Sequence, residues 1–234
     1  METLTDFARG PLFRFAAAVA VLGLLRYAVL GAWGLRQARR RAGDKRLALG
    51  QVIARTLAVL NPVRYFTGNR GLYSITSTAF HLGVILVPIF FAGHVRLWRR
   101  GVGFGWPALP ASVADALTLL TIATGLLLLA GRASLRASRQ LSRPQDWVLP
   151  PLIALEFLCG YLLAHPGSNP FQLQATMLVH AAAGDLLLLV TPFTKIAHCV
   201  MLPFSQVVSE MAWRLVPGAG QAVAKTLGKE GKPI

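Results

Sequence analysis

Residues 180–203 read HAAAGDLLLLVTPFTKIAHCVMLP. Extended back to 172, this run is longer than the ~20 apolar residues that cross a bilayer. It also carries an acid, a lysine and two histidines inside it. Four more apolar runs precede it, at about 11–35, 74–98, 112–131 and 147–165. With the fifth at 172–204, the expected fold is an all-α integral membrane bundle of five transmembrane helices. Charged residues are only 14% of the 234, against roughly a quarter in water-soluble domains. The chain lacks the polar surface that water would require.

The net charge of +15 raises the question of a nucleic-acid partner. The basic residues, however, cluster in loops between apolar runs, which is the distribution that sets membrane topology. The loop 36–72 holds nine (Arg36, Arg39, Arg40, Arg41, Lys45, Arg46, Arg55, Arg64, Arg70) against Asp44 alone. Loop 132–146 adds Arg132, Arg136, Arg139 and Arg143 against Asp146, while 166–171 has no charge. Arg96, Arg99 and Arg100 vote the other way. The balance puts the N-terminus outside, the C-terminus in the cytoplasm, and no nucleic acid among the partners. Residues 1–205 form the expected membrane domain and 206–234 a cytoplasmic tail. Within the first basic loop, Leu47, Leu49, Val52, Ile53, Leu57 and Val59 interleave with Arg46 and Arg55. That pattern suggests a short helix on the membrane surface, and the loop is also a candidate docking surface for a soluble subunit.

The first apolar run is longer than a signal-peptide core and is expected to be a span. Two cysteines, Cys159 and Cys199, form no C-x-x-C pair, so iron–sulfur ligands must come from another subunit.

Four of the five histidines fall on two of the expected helices: His81 and His94, and His180 and His198. Ionisable groups inside a membrane are functional candidates by default, although a lone histidine there is more often a packed hydrogen-bonding residue. Imidazole is a strong axial ligand for haem iron, and a bis-histidine haem between helices takes one ligand from each. On a continuous helix the 18-residue separation of His180 and His198 is about five turns, so both face one way, with Gly184 and Thr191 on the same stripe. His81 and His94 are 13 apart and out of phase at ~100° per residue, with Pro88 between them able to rephase the helix. Matched by depth, His81 goes with His198 toward the cytoplasm and His94 with His180 toward the outside. His165, in LLAHPGSNP, is an interfacial loop residue or an alternative to His94. Lys195 is a candidate partner for a haem propionate. Arg26, buried by expectation in the first span, needs a propionate, Glu156 or Asp185. Asp115 is either a helix N-terminal acid or a proton relay. The glycines of GVGFGW (101–106) follow a membrane helix, and AGQAVAKT (219–226) has alanine where a phosphate loop needs glycine, so neither is a nucleotide motif.

Two segments, FHLGVILVPIFFAGH (80–94) and HAAAGDLLLLVTPFTKIAHCVMLP (180–203), resemble the nitrate reductase gamma-subunit family of membrane cytochromes b. That family here includes the cytochromes of heterodisulfide-reductase-like and sulfite-reductase-associated complexes. The resemblance covers most of residues 1–205. It implies two haems b on His81, His94, His180 and His198, and a quinone or quinol oxidised or reduced near the outer haem. It further implies an iron–sulfur partner subunit on the cytoplasmic side of a bacterial or archaeal cytoplasmic membrane. The helix-2 histidines are more widely spaced than in nitrate reductase itself. The competing expectation is a haem-free anchor or small transporter with a His/Asp proton path.

Overall fold

The computed structural model describes residues 1–41, 49–67, 71–215 and 218–230. Asp44, Lys45, Arg46, Leu47 and Arg70, counted above in the first basic loop, lie outside the described residues. Among the described residues every regular element is helical. They are α1 (Glu2–Phe7), α2 (Phe13–Arg41), α3 (Leu49–Leu60), α4 (Gly71–Phe90), α5 (Ala92–Val102), α6 (Ala111–Ser134), α7 (Arg136–Leu141), α8 (Gln145–Ala164), α9 (Leu173–Val190), α10 (His198–Leu215) and α11 (Ala219–Thr226). Five segments are long and apolar enough to cross a membrane: Glu2–Gln37, Gly71–Phe90, Ala111–Ser134, Gln145–Ala164 and Leu173–Phe193. The first is longer than its apolar core because α1 joins α2 through a π-helical turn, Ala8–Leu12, around Pro11. A wider turn lets a helix pass a residue that has no N–H to give.

By contact the chain divides into two units: Met1–Val21 with Pro62–Lys195, and Leu22–Asn61 with the residues from Ile196 onward. In the first unit α4 packs on α6, α6 on α8 and α8 on α9, with α1 against α9. In the second, α3 packs on α10, and a Cβ at Gly31 would meet the Phe204 ring at 2.7 Å. A short helix is therefore present, as α3, in the segment whose apolar spacing suggested one.

The first unit buries small residues and exposes large ones. Ala16 is 0% exposed and Thr121 1%, while Leu127 is 62% exposed. In water that arrangement is inverted. In lipid it is expected, because tails are as apolar as leucine and helices associate where small residues let backbones approach. Along α6 the buried set is Ala114, Thr118, Thr121, Thr124 and Gly125, mostly three or four apart and so on one face. Each threonine hydroxyl donates back to a carbonyl four residues earlier, for example Thr121 to Leu117 at 2.6 Å. The polar atoms are thereby satisfied before the helices meet.

Two expected helices are divided. The run 74–98 breaks at Phe91, which is extended with ψ 133°. The break would orphan the last carbonyls of α4. They find other donors: His94 Nδ1 bonds the Pro88 carbonyl at 3.1 Å, Trp106 Nε1 that of Ile89 at 2.9 Å, and the Leu109 N–H that of Phe90 at 2.9 Å. The segment after α5 can fold back to supply them because Gly103 takes φ +84°, a left-handed C-terminal cap that glycine adopts without penalty. Water does not replace such bonds inside a bilayer. Trp106→Phe is expected to cost about 1 kcal/mol and to speed amide exchange across 103–109, measured by deuterium uptake in micelles.

The run 172–204 breaks at Pro192, which denies the helix an N–H. α9 ends at Val190, and short 3-10 turns at Thr191–Phe193 and Lys195–Ala197 lead to α10. The continuous five-turn register expected for His180 and His198 is therefore absent. α10 instead runs without interruption across residue 205 to Leu215.

Candidate functional site

His94 and His180 are brought together. Their ring centroids are 6.0 Å apart and their planes within 10° of parallel. That separation falls within ordinary aromatic contacts. As two imidazoles from different helices, they are also the residues that would hold a haem here, which asks the protein for two nitrogen ligands. His94 makes this contact from α5, after the break at Phe91.

Each ring is held by its Nδ1. His94 Nδ1 bonds the Pro88 carbonyl at 3.1 Å. His180 Nδ1 lies 3.2 Å from the Glu156 carbonyl and 3.0 Å from Glu156 Oε1. A histidine whose Nδ1–H is given to a carbonyl or carboxylate has its tautomer fixed and offers Nε2 to a metal. Burial, then the neighbouring His180, push His94 down to about 4, so its imidazole is neutral near pH 7, as ligation requires.

His81 occupies a different place. Its Nδ1 bonds the Ser77 carbonyl at 2.7 Å, and Phe80 meets its ring edge-on. It lines a cavity of about 150 Å³ with Tyr73, Ser77, Gly125 and Arg132. Sites that enclose a drug-sized ligand are about 300–1,000 Å³, so this cavity holds an edge of a macrocycle at most. Arg132 is the residue that sequence reading missed, having counted it only as a loop charge. It also bonds Ser142 Oγ at 2.9 Å and lies 3.8 Å from Asp146.

The other candidates are placed as follows. Lys195 Nζ bonds Asp146, and its backbone N–H bonds Gln145 Oε1 at 3.0 Å, which ties the break after α9 to the start of α8. His165 is held at both nitrogens, Nδ1 by the Tyr161 carbonyl at 3.0 Å and Nε2 by Asp115 at 3.2 Å, with Tyr161 stacked on it at 4.3 Å. That leaves no nitrogen for iron. Arg26 and His198 belong to the second unit and are exposed, Arg26 with its guanidinium 6.0 Å from the Tyr27 ring. Glu156, named from sequence as a partner for Arg26, is the partner of His180. Among the described residues no three His, Cys, Asp or Glu side chains converge on a bare metal ion, whereas haem asks the protein for two axial ligands.

A curated chain from Nitratidesulfovibrio vulgaris, described simply as a protein, is 36% identical over 135 residues, 57% of this chain. This chain spans 58% of that relative's length. No family model and no solved structure matches.

Proposed function

We propose that the chain is a dihaem b-type membrane cytochrome that passes electrons between a quinone pool and an iron–sulfur partner on the cytoplasmic side. One observation carries the reading: two imidazoles from different helices face each other at 6.0 Å, each held through Nδ1 by an acceptor. When bound, haem b supplies one-electron transfer in a dry environment. His94 and His180 would hold it from α5 and α9, with Pro88 and Glu156 orienting their rings. His81 is the ligand that the first unit offers for the second haem, and Arg132, which lines the same cavity, would offer a cation to a propionate there. The arginine-rich loops support an outside N-terminus, and with it a His94–His180 end toward the side of a bacterial or archaeal cytoplasmic membrane where quinol would be oxidised or quinone reduced. The resemblance noted above supports an iron–sulfur partner.

A haem-free carrier with a proton path is the second reading. It is favoured by Glu156 Oε2 and Asp185 Oδ2, both buried without a hydrogen-bond partner, since intramembrane carboxylates also line proton routes. A pyridine haemochrome assay on chain expressed with haem supply separates the two. Two non-covalent haems b per chain are expected. Their complete absence would remove the cytochrome reading and leave the carrier.

A further inference from the structure

We infer that Glu156 is the positioning residue of His180, and that its carboxylate makes His180 the more electron-donating ligand of the pair, so that the oxidised state of the haem is favoured. The inference rests on the haem reading above.

The contact is built from both sides. Glu156 lies on α8 and His180 on α9, and each is followed four residues later by a glycine that makes room for the other. A Cβ at Gly160 would lie 3.2 Å from His180 Cε1, and one at Gly184 would lie 2.9 Å from Glu156 Oε1. Glycine inside a helix costs about 1 kcal/mol relative to alanine, so two at matched positions call for a reason. Close approach of the carboxylate to the imidazole supplies it. Both side chains are largely buried, 16% and 18% exposed.

The two rings are held differently. His94 gives its Nδ1–H to a neutral carbonyl, whereas His180 Nδ1 meets a carboxylate oxygen at 3.0 Å. A carboxylate behind an imidazole raises its basicity as a ligand. It also places negative charge one ring away from a centre that gains positive charge on oxidation, in a medium that screens poorly. The second oxygen, Oε2, is buried with no partner. An unpaired carboxylate there is costly, and a cationic centre across the ring offsets part of that cost. Both effects lower the reduction potential.

The test is a redox titration of the haem-loaded full chain, with His180→Ala identifying which haem the pair binds. Glu156→Gln keeps an acceptor of the same shape and removes the charge. It should retain both haems and shift the potential of that haem upward, with the other haem unmoved. Should Glu156→Gln lose haem or fail to accumulate, Gly184→Ala, which crowds Oε1 away while keeping the glutamate, should shift the same haem in the same direction. Unchanged potentials in a haem-loaded Glu156→Gln or Gly184→Ala chain overturn the inference alone. A wild-type chain with no haem is the failure of the cytochrome reading and takes this inference with it.

Discussion

On the dihaem reading proposed above, replacing either His94 or His180 with alanine should halve the haem content of the chain, and combining the two replacements should remove no further haem. The two rings lie 6.0 Å apart between centroids, so each loss would leave a single protein ligand for the proposed haem. Residues that act as a unit give non-additive losses, and here the second loss finds nothing left to remove. The remaining haem should keep its spectrum and potential. His165→Ala, by contrast, should leave both haems in place, because its two nitrogens are engaged by Tyr161 and Asp115. Loss of different haems in His94→Ala and His180→Ala, seen as distinct absorption maxima in the two residual spectra, would break the pairing.

The next largest effect is expected at Gly83. A Cβ there would overlap Thr121 Oγ1 and lie 2.9 Å from the Leu117 carbonyl. Thr121 is fully buried, and its hydroxyl is committed to that same carbonyl. Gly83→Val must therefore push α4 away from α6 along the stripe of small residues. Overpacking of this kind costs about 1–3 kcal/mol, and the disturbed hydroxyl bond adds about 1 kcal/mol. Unfolding in mixed micelles with rising denaturing detergent should show the loss. Since the cavity beside His81 lies between these helices, any haem held through His81 on the reading proposed above should also dissociate more readily. Thr121→Ala should rescue part of the damage in Gly83→Ala, with a coupling of about 0.5–3 kcal/mol. A Gly83→Val chain as stable as the wild type would show that the helices do not meet there.

Composition and run length were enough to find five candidate spans, because length and the absence of charge are what a bilayer selects. They were poor guides to where a helix breaks. Pro88 marks the region of the first break, yet the chain continues helically for two more residues and turns at Phe91. The deciding contributions come from His94, Trp106 and Leu109, distant in sequence from some of the carbonyls they satisfy. Pro192 was visible in the quoted stretch, but the apolar residues around it concealed its effect on the His180–His198 register. The histidines themselves were legible as candidates from burial cost alone. Which of them meet was not, because that depends on a backbone turn. Arg132 and Glu156 were hidden for a simpler reason: one looked like a topology signal, the other like a counter-ion for a different helix.

The bond from His94 to the Pro88 carbonyl gives one side chain two obligations. The imidazole closes the open end of α4 through one nitrogen and presents the other to a ligand, so whatever grips Nε2 also tightens the local fold. Assembly order follows from this linkage. A chain awaiting its cofactor should leave residues 91–110 the most readily nicked by protease of any stretch in the first unit, and loading should silence that cleavage.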